Sequence, residues 1–295
     1  MTATSGPPLP TCLALVPDSA GHPRPTARSG GGLLGIVTPN SPLHWTLLIV
    51  GLASSVVFNA TYLIAGALRP GYDWLQQPIS ALSLGPGGGV QTTDFIACGV
   101  LGCLTAFAWR PTLTPGVGVV WIPRLLMLAA VALICTGVFT QDPALGFPRG
   151  MPSLASPSIH ALIHNLVSTL SLAATIAGLL ILARRFTREP HWRGWSTAAL
   201  VAGVLMMAFL TTFVALITHA GPGGVFEKLA ALTPTLFGLA LTTRLLRARD
   251  ARVSTTILGL TVEQLKPSRA PGNVAQEVDR PGAPGAYGAY RQVSN

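Results

Sequence analysis

The chain predicts an all-α fold, a polytopic transmembrane bundle of six helices, and three observations predict it. Between Leu43 and Thr243, six apolar stretches alternate with short polar loops. Each stretch has the roughly 20 residues that a helix needs to cross a hydrocarbon core of about 30 Å, where the backbone must satisfy its own hydrogen bonds. Only 10% of the 295 residues are charged and 49% are hydrophobic, whereas soluble domains are about a quarter charged. The charges also alternate between loops: of 19 Lys and Arg, only Arg69, Arg149 and Lys228 fall on the side reached after spans one, three and five. By the positive-inside rule, both termini are cytoplasmic and that side faces outward across the plasma (cytoplasmic) membrane.

The spans read in order as 43–66, 90–109, 122–140, 158–183, 195–218 and 225–243, within a transmembrane domain of 43–246. Small residues four apart, Gly51 with Ser55, Cys98 with Gly102 and Ala199 with Gly203, suit close helix approach in spans one, two and five. Span three opens with Pro123, which suits a helix start, and Arg124, which can snorkel to the cytoplasmic face. Gly85-Pro86-Gly87-Gly88-Gly89 lacks the Lys-Ser/Thr of a phosphate loop and reads as a turn into span two. The Pro-, Gly-, Ser- and Thr-rich tails, 1–42 and 247–295, read as mostly disordered, with a short surface helix over 253–265. Leu13-Ala14-Leu15-Val16 is too short for a signal-peptide core.

The net charge of +9 needs no nucleic acid, because the cations sit where topology puts them; the expected partners are membrane lipids. Cys12, Cys98, Cys103 and Cys135 form no CxxC pair and read as small packing residues.

Function should lie in polar residues that the membrane must accommodate. In span four, His160, His164, Ser168, Ser171, Thr175 and Gly178 recur at steps of three and four, within roughly an 80° arc of one face. Span one has a matching stripe in Gly51, Ser55, Asn59, Tyr62 and Gly66. Both stripes should face the bundle interior. Ser80, Asp142, His160, His164 and His219 share the outward end with Asn59, Tyr72, Asp73, Asp94, Asn165 and Glu227.

Two histidines at i and i+4 can reach one zinc ion, with a third histidine and a carboxylate completing a site that activates water. The same residues can equally cap helix ends, or handle protons or a ligand, and the Glu of HExxH is missing.

Three segments carry a resemblance: Tyr72-Asp73-Trp74-Leu75-Gln76-Gln77-Pro78-Ile79-Ser80-Ala81-Leu82, Gly137-Val138-Phe139-Thr140-Gln141-Asp142, and His160-Ala161-Leu162-Ile163-His164-Asn165. They resemble the P-I-S-x-L, G-x-F-x-x-D and histidine-containing segments of the bacterial six-span family known as domain of unknown function 998 (DUF998). The resemblance covers about residues 43–246 and implies an integral membrane protein without an assigned activity. A more distant similarity is to seven-span hydrolases of the alkaline ceramidase and adiponectin-receptor type, which hold zinc with a Ser, an Asp and three His. This chain departs from them in having six spans and in placing HxxxH on the fourth.

Three functions follow as expectations. One is a nonenzymatic protein that binds a lipid or small ligand in an outward-facing polar pocket. Another is a zinc-dependent hydrolase of a lipid amide or ester, with His160, His164 and His219 on the metal, Asp142 orienting water or a ligand, and Ser80 stabilising the oxyanion. The third is proton-coupled transport along span four, which the absence of mid-membrane carboxylates disfavours.

Overall fold

The structure, a computed structural model, describes residues 37–151, 156–217 and 221–265. His219 and most of both tails, where disorder is expected, lie outside the described residues. Among the described residues six α-helices follow in order: α1 Pro42–Leu68, α2 Gly89–Leu113, α3 Trp121–Val138, α4 Ile159–Thr187, α5 Arg193–Ile217 and α6 Gly223–Leu265. All six are long and apolar enough to cross a membrane. Their starts lie within two residues of the sequence reading.

The ends follow local chemistry. Ser41 caps α1 by accepting from the His44 backbone N–H, with Pro42 at the first helical position. Ser158 caps α4 by accepting from Ala161 N–H. α2 continues past Trp109 and carries Pro111 in its last turn, where the missing N–H cannot donate to the Phe107 carbonyl four residues back. α6 runs on to Leu265 and takes in the 253–265 segment that the sequence reads as a separate helix.

By contacts the chain divides into two units, Met1–Thr242 and Thr243–Asn295. In the first unit, α1 packs on α2, α2 on α3, α3 on α4 and α4 on α5. A Cβ at Gly99 of α2 would fall 2.8 Å from the Ala130 carbonyl oxygen of α3, and one at Gly137 would fall 3.0 Å from that of Thr92. Glycine therefore lets these two backbones approach closely. The first turns of α6 close the ring, with Ala230 packed among Ile176, Leu179, Ala202 and Met206 of α4 and α5. Toward α1, Thr235 accepts from Asn59 Nδ2 at 3.0 Å.

The connection from α1 to α2 is folded back into the bundle. Tyr72, Ile79, Ala81 and Leu82 bury against Tyr62 of α1, Phe95 of α2 and Phe147 of the α3–α4 connection. Within it, Ile79–Ser83 forms a short 3-10 helix. The result is a capped end, where α1 and α2, α3 and α4, and α5 and α6 are joined. The opposite end carries the other two connections.

Candidate functional site

Residues of all six helices line one cavity of about 870 Å³ in the first unit. Its walls away from the cap are apolar, built from Leu48, Leu52, Leu126, Leu172, Met206 and Leu210. The hydroxyls that share this depth mostly donate to helix carbonyls. Ser55 donates to Gly51 O, Thr105 to Leu101 O, Thr136 to Ala132 O and Thr175 to Ser171 O, at 2.8–3.0 Å. Ser171 reaches across to Ala129 O of α3 at 2.9 Å, and Ser168 bonds the His164 carbonyl. Satisfied in this way, these six hydroxyls offer no spare donors to a chain of water.

At the capped end the lining turns polar with Ser80, Gln141, Asp142, His164, Asn165 and Glu227. His164 is buried, and its Nδ1 lies 2.6 Å from the Phe139 carbonyl oxygen and 3.1 Å from that of Thr136. A carbonyl can only accept, so Nδ1 carries a proton, and in the neutral form of the ring the lone pair is on Nε2. Ser80 Oγ donates to Gln141 Oε1 at 2.7 Å, while the amide nitrogen of Gln141 is buried without a hydrogen-bond partner. Glu227 Oε2 accepts from Ile79 N–H at 2.6 Å, capping the 3-10 helix.

The three segments that carry the family resemblance meet here. Ser80 of the first bonds Gln141 of the second, and His164 of the third bonds Phe139 of the second. Gln77 adds a link from its amide to Leu145 O.

Asp142 accepts from both the backbone N–H and the hydroxyl of Ser158, each at 2.7 Å, so both of its oxygens order the start of α4. His160, one turn before His164, is exposed and packs edge-on to Phe139 at 5.5 Å between centroids. Among the described residues, no group of three His, Cys, Asp or Glu is arranged to hold a metal ion.

Asn59 bonds Thr235, Ser55 O and the Tyr62 hydroxyl. The Tyr72 hydroxyl donates to the carbonyls of Gln77 and Pro78, and burial, with Glu227 nearby, pushes its phenol further above the usual tyrosine range. Asp73 accepts from the N–H groups of Leu75 and Gln76 in an exposed turn. Asp94 is buried against Gln91 and Cys98, away from the cavity lining.

Sequence reasoning passes over one residue that the cap depends on. Lys228 is buried, and its ammonium donates to the carbonyls of Trp74, Gln77 and Gly224 at 2.9–3.1 Å. The same ammonium lies 5.3 Å from the ring centroids of both Tyr72 and Trp74. A Cβ at Gly224 would fall 2.8 Å from the Gln77 carbonyl carbon, so only glycine admits the loop there. A lysine one turn into an apolar span is itself the available signal.

The family described as "Protein of unknown function (DUF998)" matches residues 52–244, and the chain belongs to it. No curated protein and no solved structure matches the chain.

Proposed function

We propose that this multi-pass membrane protein binds a single-chain lipid or similar amphiphile in its central cavity, with the capped end facing outward and both termini in the cytoplasm. One observation carries the reading: a cavity of about 870 Å³ that is apolar in its depth and polar at one end. Small-molecule sites typically span about 300–1,000 Å³, with mostly apolar walls and a few placed polar groups. Proton-coupled transport finds less support, because the hydroxyls along the depth are turned to helix carbonyls. Zinc hydrolysis finds less support too, because Asp142 is engaged by Ser158 and His160 lies outside the cavity lining.

Gly238 supplies the test. It lines the cavity, and a Cβ there would meet nothing within 4 Å. Gly238→Leu therefore enters open space at its Cβ, and in a helix interior it removes a glycine penalty of about 0.8–1.0 kcal/mol. The purified variant should fold as well as the parent and lose most of its bound amphiphile, read by native mass spectrometry. Full occupancy in a folded Gly238→Leu protein would overturn the reading.

Orientation is tested separately with single cysteines in a background lacking the native four. Pro86 and Arg188 are exposed on opposite ends. A membrane-impermeant maleimide should modify Pro86→Cys in intact cells and Arg188→Cys only after permeabilisation. The reverse pattern would invert the topology.

A further inference from the structure

We propose that the polar end of the cavity selects a cationic head, so that the preferred occupant is a long-chain amine rather than a fatty acid. The proposal rests on the cavity being an amphiphile site, as above.

The first observation is which polar atoms remain unused. Glu227 gives Oε2 to Ile79 N–H, and among the described residues its other oxygen has no hydrogen bond or ion pair. His164 gives its Nδ1 proton to carbonyls, which leaves the Nε2 lone pair. Against these acceptors stand the amide nitrogens of Gln141 and Asn165.

The second observation is where the cations of this end have gone. No Lys or Arg lines the cavity, and the undescribed loop residues 152–155 and 218–220 contain none. Lys228 is held by three carbonyls of the cap. Arg69 bonds Leu84 O and lies over the Phe147 ring at 5.8 Å, and Arg149 is exposed. An anionic head would therefore meet the Glu227 carboxylate with only Lys228, already engaged by three carbonyls, to offset it through space, in a site walled by apolar side chains where charges act strongly. An ammonium head would instead gain a charge-assisted bond to Glu227 and a second acceptor in His164.

The test is a competition. Full-length protein in a nonionic detergent at neutral pH receives equal amounts of n-dodecylamine, dodecanol and dodecanoate, and native mass spectrometry reads which is bound. The amine should exceed the acid by about tenfold or more, the factor that one charge-assisted bond supplies. In Glu227→Gln the amide oxygen can still accept from Ile79 N–H, and the excess should fall to near one while total occupancy persists. Equal occupancy by all three heads in the parent protein would overturn the head-group assignment and leave the cavity reading standing. An amine preference retained in Glu227→Gln would overturn the role of that carboxylate. Binding of none of the three would overturn the cavity reading itself.

Discussion

The two ends of the bundle are tied by the same device and differ in what they leave over. At the capped end, Lys228 from α6 holds the carbonyls of Trp74, Gln77 and Gly224. At the opposite end, Arg185 from α4 holds the carbonyls of Pro115 and Val117 in the α2–α3 connection. Each cation has an acid close by in sequence. Glu189 pairs with Arg185 at 3.0 Å, and Phe186 stacks on Trp192 beside them, so that end is closed on itself. Glu227 makes no ion pair with Lys228; it caps Ile79 and keeps one oxygen without a partner in the cavity lining. A buried cation fastening a loop is therefore a structural device common to both ends. What marks the capped end is an acid that Lys228 acts on through space without a salt bridge, and that keeps one carboxylate oxygen without a hydrogen bond.

The largest expected effect breaks the two ties in parallel. Gln77 and Gly224 are buried, so Lys228→Met strands carbonyls that water cannot easily reach. Removing the partner of buried polar groups costs about 1–3 kcal/mol for each group left unsatisfied, and about 3 kcal/mol or more is expected here. Pro115 is exposed and Val117 half-buried, so water can replace the guanidinium in Arg185→Met, and a cost of about 1–2 kcal/mol is expected. Thermal unfolding in detergent should show the larger loss for Lys228→Met. Equal losses would mean that the opposite end is as dry as the cap and would dissolve the distinction.

The contrast also shows what could be read from the residues in advance. The six spans announce themselves because each needs about 20 apolar residues wherever it packs, and their starts were readable within two residues. That Ser80, Asp142 and His164 share one end follows from counting spans. Their partners do not follow from any local pattern. The Lys228 cage joins residues 151 and 154 positions apart, and the Ser80–Gln141 bond joins residues 61 apart. Periodicity placed the span-four stripe on one face, and His164, Ser168, Ser171 and Thr175 do line the cavity. It could not distinguish His164, buried on two carbonyls, from exposed His160 one turn away. Nor could it show that Asp142 is engaged by Ser158, although a serine just before the fourth apolar run is a helix-cap signal.

The smallest expected effect on stability sharpens the comparison most, because it separates the two acids by what each is for. Glu189 sits in a partly exposed pair, its side chain 28% accessible, and such pairs contribute about 0.2–1 kcal/mol. Glu189→Gln should lower the unfolding midpoint slightly, the more so at low salt, where that pair is least screened. Glu227→Gln keeps the acceptor for Ile79 N–H, so its midpoint should move no more than that of Glu189→Gln. Its midpoint should, however, lose any upward shift that n-dodecylamine produces in the parent protein, whereas Glu189→Gln should keep that shift unchanged. If amine stabilised both variants equally, the unpaired oxygen at the cavity would have no function that the paired acid at the opposite end lacks. The ends would then differ in burial alone.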